Sequence, residues 1–544
     1  MSADAAEAQR DSVRTAILGG EVASRYVGGI SFPAKLALSA TLVVSVVIML
    51  WQGILGLFIG ALLLVASIAA IIDFGSGSFA GHQLHHAHEF LRRRRGEHVF
   101  IHADDPDYDN PDIDPGWVRP VPLGNVEPLV LTDTGLDDMF ILWHHNPGEA
   151  NYFSMILSVQ GLAEGLRSDA TWAQNQQALS ESVYNACARR TSHVKTVQMV
   201  SRSVPSDLNP HEKWITERVE ALPPALAERL SGPNGPIISY GEVIDEIRPY
   251  AEDHRTYLVV CISESGDLMK QAARLAKSKG APVEGGVAQV IRDEVANIQR
   301  ALQSSGYGRV DVLGEQRACA VLRAMINPTY PLDQHEGVRW DNCFPSYVAA
   351  HDAVVVRPAP DDPDAIAWHT RVAVVPPGKV APVPLGPAWL APLLTGVEPD
   401  EGDPSEGVPP SPTIRTISVR LDFVPADRAR TVAKKHRTSD AAAAIEAEQR
   451  GRIGDGTSEV MADASARRAA DLKEGSGYHG VIWSMSMAVT GRDSDDCDRA
   501  CARVAAAADE SAITELRWRD GDHDIAMFWT LPLGRGLAST RYTR

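Results

Sequence analysis

Leu36–Ile72 reads LALSATLVVSVVIMLWQGILGLFIGALLLVASIAAII and holds no charged residue. A helix needs about 20 apolar residues to cross a bilayer, so the run is long enough for two spans with a turn at Trp51–Gly53. One helix is expected over Pro33–Leu50 and a second over Ile54–Ile72. Trp51 then sits at the far interface, where indole is favoured, and Asp73 with the GSGS run ends the second helix. Arg10, Arg14, Arg25 and Lys35 precede the hairpin, Arg92–Arg95 follow it, and the turn is uncharged. Basic flanks mark the cytoplasmic side. The expectation is a multi-pass cell-membrane protein with both termini and the bulk of the chain in the cytoplasm. A cleaved signal peptide fits poorly, because the run starts late and is too long.

The next stretch, GHQLHHAHEFLRRRRGEH from Gly81, decides how the hairpin is used. His82, His85 and His86 form H-x-x-H-H, the shape of a box in membrane di-iron enzymes. Two metals need ligands from several helices. The other adjacent pair, His144-His145, has Ile141 where a box wants His. The plainer reading is a basic juxtamembrane helix, with Trp51, Arg92, Arg93, Arg94 and Arg95 holding lipid headgroups. Residues 1–32 form a tail, and 33–103 the transmembrane hairpin with this helix.

The remainder reads as an ordinary globular chain. It has 544 residues and a net charge of −18, which argues against a protein built to wrap nucleic acid. Six cysteines without a C-x-x-C pair point to a reducing compartment rather than a disulfide framework. The proline-rich ADDPDYDNPDIDPG places an acidic linker at 104–127. A first α/β lobe is expected over 128–328, with RTYLVVCIS as a buried strand and Gly314–Ile326 as a helix stopped by Asn327-Pro328. Residues 329–413 form a Pro-rich connection with one strand, WHTRVAVV, and a second acidic linker. From Ile414 to the end, IRTISVRLDF alternates, a helical region broken near GRIGDG follows, and VIWSMSMAV alternates again. A helix over Asp495–Ala508 and the strand ITELRWR complete a C-terminal lobe, 414–544, expected to be ferredoxin-like. The expected fold class is α+β: a two-helix transmembrane hairpin followed by cytoplasmic α/β lobes. No internal repeat is apparent.

No catalytic constellation emerges. Gly378-Lys379 lacks the upstream glycine of a P-loop. His88-Glu89, His211-Glu212 and His335-Glu336 do not continue to H-E-x-x-H, and no G-x-S-x-G elbow occurs. Cys497 and Cys501 share a helix face with Ala500, Val504 and Ala508, the spacing of a core stripe. No catalytic residue, cofactor or metal is expected, and the chain reads as a non-enzyme.

Several stretches together resemble a known family. The hairpin and RRRRGEHVF are similar to a PrgI-like membrane hairpin. RTYLVVCIS, AVLRAMINP, PAWLAPLL, TISVRLDFVPADRAR and FWTLPLGRGL follow in the order of actinobacterial conjugation (type IV secretion) membrane proteins. That family looks like the hairpin fused to the amino-terminal, non-motor half of a CagE/TrbE/VirB-type conjugation ATPase. The resemblance implies an inner-membrane component that anchors and docks a separate secretion ATPase among other channel subunits at the DNA-transfer channel, as part of an oligomeric complex. Arg92–Arg95 would fit lipid or nucleic acid equally. Two other readings remain: a membrane component of a type VII, EccE-like system, and a membrane metalloenzyme using His82, His85 and His86.

Overall fold

The computed structural model describes residues 16–18, 32–71, 79–103, 105, 119–131, 136, 138–147, 149–161, 169–232, 235–333, 337–357, 366–376, 378–402, 410–449 and 457–536. Most of the first acidic linker, residues 403–409 of the second and the GRIGDG break fall outside them; the second linker, expected to be exposed, is pinned at its ends, where buried Asp400 bridges to Ser411 and takes Arg503 Nη1 at 2.9 Å.

Three helices lead: α1 Phe32–Gln52, α2 Ile54–Ile71 and α3 Phe79–Arg94. Gly53, with φ 61°, makes the turn between the first two. Their contact is lined by small residues. Ser45 Oγ donates to the Gly60 carbonyl at 3.1 Å, and Ser67 Oγ to Thr41 Oγ1 at 3.2 Å. A Cβ on Gly56 would lie 2.3 Å from the Ile48 carbonyl oxygen, so only glycine fits there. Leu50, Trp51, Ile54, Phe58 and Leu62 point outward. Among the described residues, no helix is long and apolar enough to cross a membrane. This overturns the expected transmembrane hairpin and, with it, the expected multi-pass cell-membrane location.

The body follows in chain order. Strands β1 Val99–Phe100, β2 Val126–Pro128, β3 Leu142–His144 and β4 Tyr152–Gln160 lead to helices α4 Asp169–Ala178 and α5 Asn185–Ala188. Then come β5 Val194–Pro205, α6 Asn209–Glu220, α7 Pro224–Ser231, α8 Pro236–Ile247 and β6 Glu252–Ser263. Next are α9 Gly266–Lys279, α10 Val283–Ser304, β7 Arg309–Val312 and α11 Glu315–Ile326. The second half holds β8 Tyr347–Ala349, β9 Val354–Val356, β10 Trp368–Val374, α12 Ala391–Thr395 and β11 Ile414–Val424. It closes with α13 Ala426–Gln449, α14 Thr457–Asp471, β12 Gly480–Gly491, α15 Ser494–Glu510, β13 Arg517–Trp518 and α16 His523–Thr530.

The strands form one 13-stranded sheet, ordered β1-β8-β9-β10-β12-β11-β5-β6-β4-β3-β2, with β13 on β10 and β7 on β4. All its pairs are antiparallel. The sheet therefore runs through both expected lobes without a break. The strand WHTRVAVV, expected in a connection, is the interior strand β10.

The order has an inner symmetry. β4, β5, β6 and β7 lie as β7-β4-β6-β5, and β10, β11, β12 and β13 as β13-β10-β12-β11. Both are the ferredoxin-like order, fourth-first-third-second. A hairpin precedes each set, β2–β3 or β8–β9. In each, the outer edge of the first strand is shared, by β3 and β7 on β4 and by β9 and β13 on β10. A helix follows each set, α11 or α16, and a helical arm interrupts each between its second and third strands. The arms are α6–α8 and α13–α14. The helix after each third strand is capped alike: Ser265 accepts from the Leu268 amide, and Asp493 from the Asp496 amide. The chain is thus two copies of one topology, joined where β5 pairs with β11.

Three main cores fill the two faces, with a small fourth beside α13. Tyr257, Val259 and Cys261 of β6 join α11 and α16 in the core on one face. Leu258, Val260 and Ile262 meet α9 and α10 on the other. Beside that second core, Met485, Met487 and Val489 of β12 pack on α15, where Cys497 and Cys501 are buried. All six cysteines are buried and free of disulfides. Because the sheet and one core cross the joint, both halves should melt together. Urea unfolding followed by tryptophan fluorescence and by hydrogen exchange is expected to give one transition, with the β5 and β11 amides among the slowest. Two separate transitions would mean two independent lobes.

Candidate functional site: the polar junction and the central latch

The arginine helix α3 turns one face to the body. His85, Glu89 and Arg92 recur at helical spacing on that face and meet the turn 519–524, RDGDHD. The Arg92 guanidinium, 5% exposed, lies against the fully buried Asp524 carboxylate. Its Nη1 is also 3.4 Å from Asp522 Oδ1, and its Nε 3.8 Å from Glu97 Oε2. Burial pulls Arg92 down, but Asp524 and Asp522 outweigh it and hold the cation above its usual range. Burial together with Asp524 pushes the neighbouring Tyr347 hydroxyl up.

Around this pair, Glu89 Oε1 takes Arg93 Nε at 3.1 Å and His351 Nδ1 at 3.0 Å. His85 Nε2 donates to the Asp520 carbonyl at 2.8 Å. His523 Nδ1 accepts from the Val372 amide at 2.9 Å, which leaves Nε2 to donate to Asp520 Oδ1 at 3.1 Å. Gly521, at φ 82°, lets the turn pass beneath α3; a Cβ there would lie 2.8 Å from Glu89 Oε2. The acids at this junction are matched by cations or ring nitrogens. That chemistry makes a clamp rather than an acid–base pair.

The expected site residues scatter. Trp51 stands exposed at the hairpin tip. Arg92 is unavailable to headgroups because it is inside the clamp. Arg93 folds back on Glu89, Arg94 is exposed, and Arg95 is exposed beside Glu97 at 3.5 Å. The His82 side chain lies outside the described residues. His85 turns to the body, while His86 and His88 are exposed, with His86 Nδ1 3.9 Å from Glu89 Oε2. Among the described residues, no group of three or more His, Cys, Asp or Glu could hold a metal.

A second polar centre lies at the joint. Gln198 of β5 is fully buried. Its Nε2 reaches Ser418 Oγ at 2.8 Å and the Trp529 and Leu531 carbonyls at 3.0 Å each. Its Oε1 accepts from the Gly534 amide at 2.6 Å. Arg420 Nη1 donates to the Gly534 carbonyl at 3.3 Å, and Arg535 Nη1 to the Pro122 carbonyl at 2.8 Å. Gly534 has φ 70°, and a Cβ would lie 2.2 Å from Cys261 Sγ. The segment TLPLGR is thus latched across the middle of the sheet. Sequence reading missed Gln198 and the acids 520–524. The signal available was three acids at alternate positions, with four arginines elsewhere to answer them.

Compared with protein families and with curated proteins, the chain matches none.

Removing one partner of a buried ion pair strands the other charge. Arg92→Met or Asp524→Asn is therefore expected to cost about 3–5 kcal/mol in chemical unfolding, and Arg95→Met less than about 1 kcal/mol. Acid should loosen the same clamp. Burial raises the Glu89 carboxyl, but the hydrogen bond from His351 and the Arg93 cation together hold it below its usual range. The His523 hydrogen bond does the same for Asp520. Depressed carboxyls stabilise fully above their unfolded values and lose that contribution as pH falls through the folded ones. Melting temperature should thus drop below about pH 4, and Glu89→Gln should flatten part of that drop.

Proposed function

We propose that the chain is a non-enzymatic docking component of a conjugation (type IV secretion) apparatus, holding a separate secretion ATPase by its sheet-and-helix surfaces. The observation that supports this is where the resembling stretches lie. RTYLVVCIS lies in the interior strand β6, AVLRAMINP ends α11, TISVRLDFVPADRAR spans β11 into α13, and the described part of FWTLPLGRGL, 528–536, runs from α16 through the latch. Tyr257, Leu322, Phe528 and Leu533 from three of them share one core. These four stretches therefore supply framework residues, as a fold-level kinship would require. A docking role also suits a body whose polar centres are clamps.

In-frame deletion in a host carrying the conjugative element tests the reading. Transfer frequency is expected to collapse while growth stays normal, and a plasmid copy should restore it. Unchanged transfer would remove the conjugation reading.

A further inference from the structure

The two arms occupy equivalent places in the duplicated topology; the first is acidic over its whole length, while the second is basic only near its start. The first spans 206–251, between β5 and β6, and holds eight acidic and four basic residues. Along α8 and the turn after it, Tyr240, Val243, Ile247 and Tyr250 form an exposed apolar stripe. Glu242, Asp245 and Glu246 are exposed beside it. The second arm, 425–479, is nearly balanced, with nine acidic and ten basic residues, but its stretch RARTVAKKHR, 428–437, has five Lys or Arg and no acid. Ala429 and Ala433 of α13 turn to the sheet. Lys434, Thr438, Ala441 and Ile445 run along an exposed face, basic at one end and apolar at the other.

Antiparallel pairing of β5 with β11 roots the arms at opposite ends of the joint. Ser203 lies opposite Arg415 where the first arm leaves, and Thr196 opposite Asp422 where the second does. About eight residues of strand, roughly 27 Å, separate the two roots. Complementary surfaces at opposite ends of a molecule meet between copies, not within one.

We propose that the arms are the two halves of one self-association surface: the acidic, apolar α8 of one copy seats on the Lys434–Ile445 face of α13 in the next. The contact is heterologous, so copies add head to tail, closing into a ring or extending as a filament. The charges steer the approach and the apolar stripes supply the burial. The proposal does not depend on the conjugation reading.

The test uses the full chain in a non-ionic detergent that covers α1 and α2, followed by sedimentation velocity across a concentration series. Wild-type chain is expected to self-associate, and more weakly at about 0.5 M than at about 0.05 M salt. Ile247→Asp, and separately Lys434→Glu with Lys435→Glu, should each weaken association at least about tenfold. Mixing these two variants is the decisive step. Each retains one working half, so the mixture should form one-to-one pairs and nothing longer. A wild-type monomer at every concentration would overturn the proposal, and so would variants that associate like wild type or a mixture that stays monomeric. In the first case, binding of a basic amphipathic helical peptide to α8 would identify a different protein as its occupant.

Discussion

Everything in the body hangs on the pairing of β5 with β11. Each ferredoxin-like half ends in its second strand, an open edge that invites uncontrolled pairing. Here the two edges close on each other. The register is set by a buried polar ladder on one face. Thr196 Oγ1 donates to Asp422 Oδ1 at 2.6 Å, Gln198 reaches Ser418, and Arg202 Nη1 donates to Thr416 Oγ1 at 2.8 Å. A slip of one residue would turn the whole set to the opposite face. A slip of two would leave buried donors facing the wrong partners, at about 1–3 kcal/mol for each unmade bond. An apolar edge would pair as strongly but would tolerate such slips.

The ladder also explains the latch. Gln198 belongs to the joint and to TLPLGR at once, so the segment after α16 is fixed only when the halves are in register. Arg415, at the opposite end of β11, ties in the start of β6, where the first arm returns: its guanidinium forks onto Glu252, with Nη1 2.6 Å from Oε1 and Nη2 2.8 Å from Oε2. Long-range order thus spreads from one strand pair toward the root of the first arm and the C-terminal strap.

Legibility in the sequence followed the range of the interactions. Alternation at Ile417, Val419, Leu421 and Phe423 marked β11, and Trp483, Met485 and Met487 marked β12, because a half-buried strand writes its pattern locally. Neither pattern could show that the partner of β11 lies some two hundred residues earlier. β10 was visible as a strand but not as an interior one, since prolines on both sides suggested a connection. The duplication stayed hidden because it lives in strand order, while the arms and helices differ in length and chemistry. The apolar run at Leu36–Ile72 was legible as two helices with a turn. Its expected passage through a membrane was read from hydropathy, and among the described residues no helix is long and apolar enough for it.

The four arginines show why residue type alone did not place the polar junction. Arg92, Arg93, Arg94 and Arg95 are chemically alike, and successive helix positions differ by about 100° of rotation. Only Arg92 falls on the face with His85 and Glu89, so only it meets Asp522 and Asp524. Arg93 reaches back one turn to Glu89, while Arg94 and Arg95 face outward. A basic run at the end of a helix therefore divides its labour by phase. One arginine fastens the helix to the body, the next steadies a carboxylate of that clamp, and the rest are left for whatever the surface meets.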